Sequence, residues 1–340
     1  MQTLIAPRLL LFSICLSTLS LQARTQAHAG NTAKPVLLVA NQADHDVSLI
    51  DPAAARQIAV VPEDGITGHE VAVTPDGHTA FVPIYGNSGV GRPGTDGSFM
   101  DVIDIASHRV TGKVDFGHGV RPHLPLYDPI SRLLYVTTEL DKTVTIVNPR
   151  TLKIVGTIPT AQEESHMLAI SHDGRRGYTA NVGPGTVSVL DLTARKTIAV
   201  IPVSNKVQRI SISNDDRTVF TSDQTKPRLA LIDTSTDKIT AWVPLPAFGY
   251  GTASTKDGRW LLVALPSIDK VAVLDLKERK IARTIDVPKS PNEILASPDG
   301  TAVYVSCGRS HQVAVIDVSQ WKVRALIDAG QGADGMAWSR

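Results

Sequence analysis

The 340-residue sequence predicts an all-β chain folded as a seven-bladed β-propeller, each blade a four-stranded antiparallel sheet and the ring closed by the C-terminal strand. Three observations predict it. First, residues 297–318 read as a turn at Pro298-Asp299-Gly300, a strand from Ala302 to Ser306, a polar break at Ser310-His311-Gln312 and a second β-branched run ending at Asp317. Second, near-copies of that second run end in Asp or Asn at 51, 104, 148, 191, 233, 275 and 317, in steps of 53, 44, 43, 42, 42 and 42 residues. A period near forty residues, with two evident strands and room for two more, is that of a propeller blade. Third, the repeat beginning at Pro35 lacks the inner strand that opens the others, and Gly335-Met-Ala-Trp-Ser-Arg340 supplies its pattern. A C-terminal strand that completes the first blade removes the edges an open array would leave.

Taken in order, residues 1–29 stand outside the array. Arg8, the apolar run from Leu9 to Leu21 and Ala27-His28-Ala29 before Gly30 read as a signal peptide, so export to the periplasm or beyond the cell is expected. The run is short of the roughly 20 apolar residues of a membrane span, and no later segment approaches that length. Residues 30–340 then form one domain with Cys307 as its lone cysteine, so stability rests on blade packing without an intrachain disulfide. Removing residues 1–29 leaves 32 basic against 33 acidic side chains, a net charge of −1 that offers no general field to nucleic acid or an anionic membrane. A closed ring needs no partner to cover an edge, so a monomer is expected.

The second repeat is eleven residues longer than its 42-residue siblings, and the excess lies in the Gly-rich stretch from Tyr85 to Phe99. It reads as a lid or substrate loop on the upper face, with a plain surface insertion as the alternative. Its glycines lack the strand–GxxxxGK[ST]–helix setting of a phosphate loop.

Residues entering each inner strand face the upper mouth of the central channel. Counting back seven residues from the turn Asp, or its equivalent, gives one per blade: His69, His123, His166, Gln208, Tyr250, Asn292 and Asp334. Three histidines on successive blades are candidate ligands for one divalent transition metal, zinc, copper or iron, with a coordination position left open. The plain alternative is a set of polar channel histidines bonded to water or backbone carbonyls. Gln208, Tyr250 and Asn292 are candidate substrate-binding groups. The links between blades add charge: Arg121 to hold a carboxylate or oxyanion, and Glu164 or Glu139 as catalytic base or fourth ligand. Each of these, taken singly, also reads as a solvated loop charge.

Other chemistries are discounted. There is no C-x-x-C-H for covalent c-type haem and no G-x-S-x-G elbow. Cys307 reads as a small buried hydrophobe, and the repeated strand-end Asp as a turn former on the lower face.

The copies Val73-Thr-Pro-Asp-Gly77, Ile170-Ser-His-Asp-Gly174 and Ser254-Thr-Lys-Asp-Gly258, with Tyr304-Val305-Ser306 and Tyr135-Val136-Thr137-Thr138, resemble the YVTN-type β-propeller repeat of exported bacterial proteins. The resemblance covers about residues 35–340 and implies the fold. For function it implies a range that includes lactonases, an antibiotic lyase, haem- and copper-bearing reductase domains and plain binding proteins. Three readings follow. The chain is a binding propeller that takes a small polar or anionic ligand at the upper mouth, through a metal or without one. It is a metal-dependent lyase or hydrolase such as a lactonase, or it is a protein-interaction platform. The modest aromatic content, 5%, argues against the last.

Overall fold

The computed structural model describes residues 1–3, 35–87 and 89–339, so the signal-peptide reading of residues 1–29 falls almost wholly outside the described residues. From Val36 onward the chain forms seven four-stranded antiparallel sheets. Blades 2 to 7 each take four consecutive strands, as in blade 7 with Pro291–Ala296, Ala302–Cys307, Gln312–Asp317 and Lys322–Asp328. Blade 1 takes Val36–Asn41, Asp46–Asp51 and Arg56–Pro62, and its inner strand is the C-terminal Ala333–Ser339, paired so that Leu37 faces Trp338 and Val39 faces Met336. The expected closure is therefore the observed one.

Sequence chemistry explains the local geometry. The turn in each Ser/Thr-x-Asp-Gly copy is tied by its own side chains: Ser297 Oγ accepts from the Ala302 amide at 3.0 Å, and Asp299 Oδ1 from the Thr301 amide at 3.0 Å. Gly300 follows at φ +78°, a conformation costly for any side chain. The strand-end Asp does its own turn work, as where Asp317 Oδ1 accepts from the amides of Ser319 and Gln320. Second and third strands are buried on both faces and read as continuous β-branched runs, whereas outer strands such as Arg56–Pro62 alternate exposed and half-buried residues.

The core lies between blades. Leu37, Val39 and Ile50 of blade 1 pack with Tyr304, Val313 and Val315 of blade 7 and with Met336 of the closing strand. Each such fully buried aliphatic side chain stabilises by roughly 1.5–3 kcal/mol. Cys307 is fully buried in the cluster between blades 6 and 7, and burial pushes its thiol up to about 12, as befits a hydrophobe.

Candidate functional site

The seven ring positions sit where the inner strands start. In blades 3, 4, 5 and 7 that start is irregular: register shifts fall between Pro122 and Pro125, Ser165 and Met167, Val207 and Ile210, and Pro291 and Ile294. A bulge breaks strict alternation, so two successive residues can serve one side of a strand. Gln208 with Arg209, and Asn292 with Glu293, are such pairs.

The three histidines meet. The His123 ring centre lies 5.1 Å from that of His69 and 3.6 Å from that of His166. Tyr85, the first residue of the glycine-rich stretch, packs among them at 5.0, 5.5 and 6.0 Å from His69, His123 and His166. His123 and His166 are buried, and His69 is half-buried. Burial favours neutral imidazole: it pulls His69 down to about 3, with the charges of His166 and Arg209 adding, and holds His123 well below its ordinary value. His166 is also lowered by burial, against the opposing pull of Glu139. Nδ1 of His123 is buried with no hydrogen-bond partner.

Beside them stands Glu139, buried, accepting from the Tyr85 hydroxyl at 2.6 Å and lying 3.4 Å from His166 Nδ1. Burial works to raise this carboxyl, but the hydrogen bonds from His166 and Tyr85 outweigh it and hold it below the usual value. Arg121 is buried too, with Nε on Asp96 at 2.6 Å, one terminal nitrogen donating to the Arg92 carbonyl at 2.7 Å and the other 3.6 Å from Glu139. Its guanidinium is consumed inside the protein. Glu164 is half-buried between Gly91 and Gly183, and it lines with Glu139, Arg121 and Lys142 a cavity of about 380 Å³ under the glycine-rich loop.

Across the channel is a network that the sequence reading missed. Arg209 of blade 5 donates to Glu70 at 2.5 Å, to Glu293 at 2.8 Å and to Asp334 at 3.0 Å, residues of blades 2, 7 and 1. Its guanidinium also lies 4.6 Å from the centre of the Tyr250 ring, whose hydroxyl accepts from Gln208 at 3.1 Å. Burial pushes all three carboxyls up, Glu293 to about 7. The Arg209 Nε has no partner. Asn292 stands at the rim and donates to the Ala333 carbonyl at 3.4 Å. The available signal was a charged residue directly after the ring position in three blades, Glu70, Arg209 and Glu293, which one residue per blade passes over.

The donor set suits a transition metal better than the ring positions do. Two imidazoles with nitrogens about 2.1 Å from one tetrahedral ion set their ring centres roughly 5 Å apart. The His69–His123 spacing of 5.1 Å matches, while the 3.6 Å between His123 and His166 is a stacking distance. Among the described residues no group of three or more His, Cys, Asp or Glu side chains stands ready to hold a metal ion. For all three rings to share an ion, the His166 ring must move off its stacking contact with His123, and with Nε2 as the ligating nitrogen its Nδ1 can keep Glu139.

No protein-family model matches the chain, and no curated protein matches it. Among solved structures it is similar to Kuenenia stuttgartiensis hydrazine synthase, with a TM-score of 0.73, 17% identity, and coverage of 84% of this chain and 92% of that one. At that identity the likeness is one of fold.

Proposed function

We propose that the chain is a binding propeller whose upper mouth takes a small polar or anionic ligand through a divalent transition metal held by His69, His123 and His166. The observation that carries this reading is Nδ1 of His123, a buried and unpartnered nitrogen in contact with two further imidazoles that burial keeps neutral. A neutral imidazole needs no deprotonation before it binds a metal. The charge balance supports the same reading. Both buried arginines are spent on carboxylates, so neither is free to hold an anion, and a bound cation would supply that charge. The YVTN-type resemblance of the repeats accords with such a role.

A second reading, a metal-dependent lyase or hydrolase, is favoured by Glu139. It stays ionised beside His166 and shares the Tyr85 proton, which suits a general base next to a Lewis acid.

The test is elemental analysis of untagged protein, wild type against His123→Ala, after incubation with zinc, copper or ferrous salts and gel filtration. One equivalent of metal in the wild type and loss of it in the variant are expected. Wild type that retains none of the three overturns the metal-held reading. Loaded protein that then hydrolyses lactones or esters, with activity lost in Glu139→Gln, would move the assignment to the second reading.

A further inference from the structure

A second, separate feature lies between blades 1 and 2, in two carboxyl side chains that form no ion pair among the described residues. Asp101, in the strand Asp96–Asp104, is fully buried; its Oδ2 accepts from the Asp64 amide at 2.8 Å, and its Oδ1 has no partner. Glu63, just after the outer strand of blade 1, mirrors it: Oε2 accepts from the Gly68 amide at 2.7 Å and Oε1 is buried without a partner. The two side chains share a neighbour. A Cβ on Gly68 would meet both Glu63 Oε1 and Val82 Cγ1, and Val82 is the cross-strand partner of Asp101.

The repeats give an internal control. The position of Glu63 and Asp101 is held at three other interfaces by side chains that balance themselves. Between blades 3 and 4 it is Thr160 and Ser188, with Ser188 Oγ donating to the Thr160 carbonyl at 2.7 Å. Between blades 4 and 5 it is the apolar pair Val203 and Ala230, and between blades 6 and 7 Val287 and Ala314. At this one interface the sequence places two acids, and the one base near them, Lys113, stands opposite Asp101 across the strand pair and pulls its carboxyl down without outweighing burial. Asp46 and Asp64 are acidic. The neighbouring base, Lys113, lies 3.3 Å from the exposed Asp64 carboxylate and over the Phe99 ring.

We propose that Glu63 and Asp101 clamp a hard divalent cation of the calcium class between the first and second blades. Two inward carboxylate oxygens, with backbone carbonyls and water to complete the shell, are the oxygen-only donor set that calcium takes. The alternative occupant is a proton. Burial, with the Asp101 and Asp46 charges adding, pushes Glu63 up to about 8, so without the cation this carboxyl is neutral at pH 7. The cation would exchange with that proton and pin the link from Glu63 to His69 at its start. The site contains no histidine, so it stands or falls independently of the upper-mouth metal.

The experiment is thermal unfolding of the full mature chain in EDTA and in a calcium chloride series up to about 5 mM, with equilibrium dialysis against calcium, for wild type, Asp101→Asn and Glu63→Gln. One bound calcium per chain is expected in the wild type, with a Tm that rises with the logarithm of calcium concentration above the dissociation constant. Both effects should vanish in the two variants. If Asp101→Asn does not fold, Asp101→Ser restores the residue that blades 1 and 4 carry there, at Ser48 and Ser188. Wild type that binds no calcium and melts at one temperature throughout overturns the proposal in favour of the proton. Calcium binding undiminished in both variants overturns it by placing the ion elsewhere.

Discussion

Arg209 is one buried base facing two buried carboxyls, Glu70 and Asp334, and the half-buried Glu293, and the imbalance makes its contribution depend on pH. Removing a partner from a buried ion network typically costs 3–5 kcal/mol, because the charges left behind are uncompensated. Arg209→Met should therefore lower unfolding stability by about 3–5 kcal/mol at pH 8 in urea titrations. The defect should shrink at pH 5, where protonated carboxyls need no counter-charge. The wild type has a matching signature. Glu293 is raised in the folded state from 4.5 to about 7, so it favours folding when protonated, and that contribution fades as pH rises through this window. Glu293→Gln should flatten this part of the stability–pH curve.

At the scale of the element, the glycine-rich extension of blade 2 is held to the site by specific bonds rather than lying free on the surface. Arg121 binds Asp96 and the Arg92 carbonyl, the Gly91 amide reaches toward Glu139 at 3.5 Å, and the Val120 and Arg121 amides donate to the Gly97 carbonyl. The sequence reading gave Arg121 to a ligand; the structure gives it to this loop. Asp96→Ala should lower global stability by about 1–3 kcal/mol, since it leaves the buried Arg121 guanidinium with Glu139 alone as counter-charge, while amide hydrogen exchange over residues 89–96 accelerates. No acceleration would mean that the backbone contacts alone hold the loop. Arg121 and Glu164 share a left-handed backbone, φ +50° in each, but Thr67, Ser290 and Gly332 at equivalent places do as well. That conformation belongs to the repeat, and no functional strain need be inferred from it.

For the whole molecule, closure is the decisive feature. Blade 1 owes its inner strand to the last residues of the chain, and the cluster between blades 7 and 1 depends on Met336 and Ala333. Deleting residues 335–340 should abolish the single cooperative transition seen by circular dichroism, because it opens the ring and exposes two edges at once. A truncated chain that melts with the wild-type midpoint would show that the closing strand is dispensable. Blade count, turn chemistry and closure were legible in the sequence because a repeat is a local pattern copied many times. Each copy had to satisfy the same alternation and the same Asp-Gly turn. The histidine triad was legible for the same reason, as one register read across successive blades. Three things were not: Tyr85 among the histidines, Arg209 spanning the channel to three other blades, and the opposed acids Glu63 and Asp101. Those contacts join residues from different blades through strand-entry bulges and a hairpin extension, so the repeat register places the residues, as it does Glu70, Arg209 and Glu293, but does not say which of them meet. Sequence alone determined the architecture, since it follows from backbone periodicity. Only the tertiary structure decided which charges neutralise one another, because in a closed ring that depends on which side chains are brought within reach away from water.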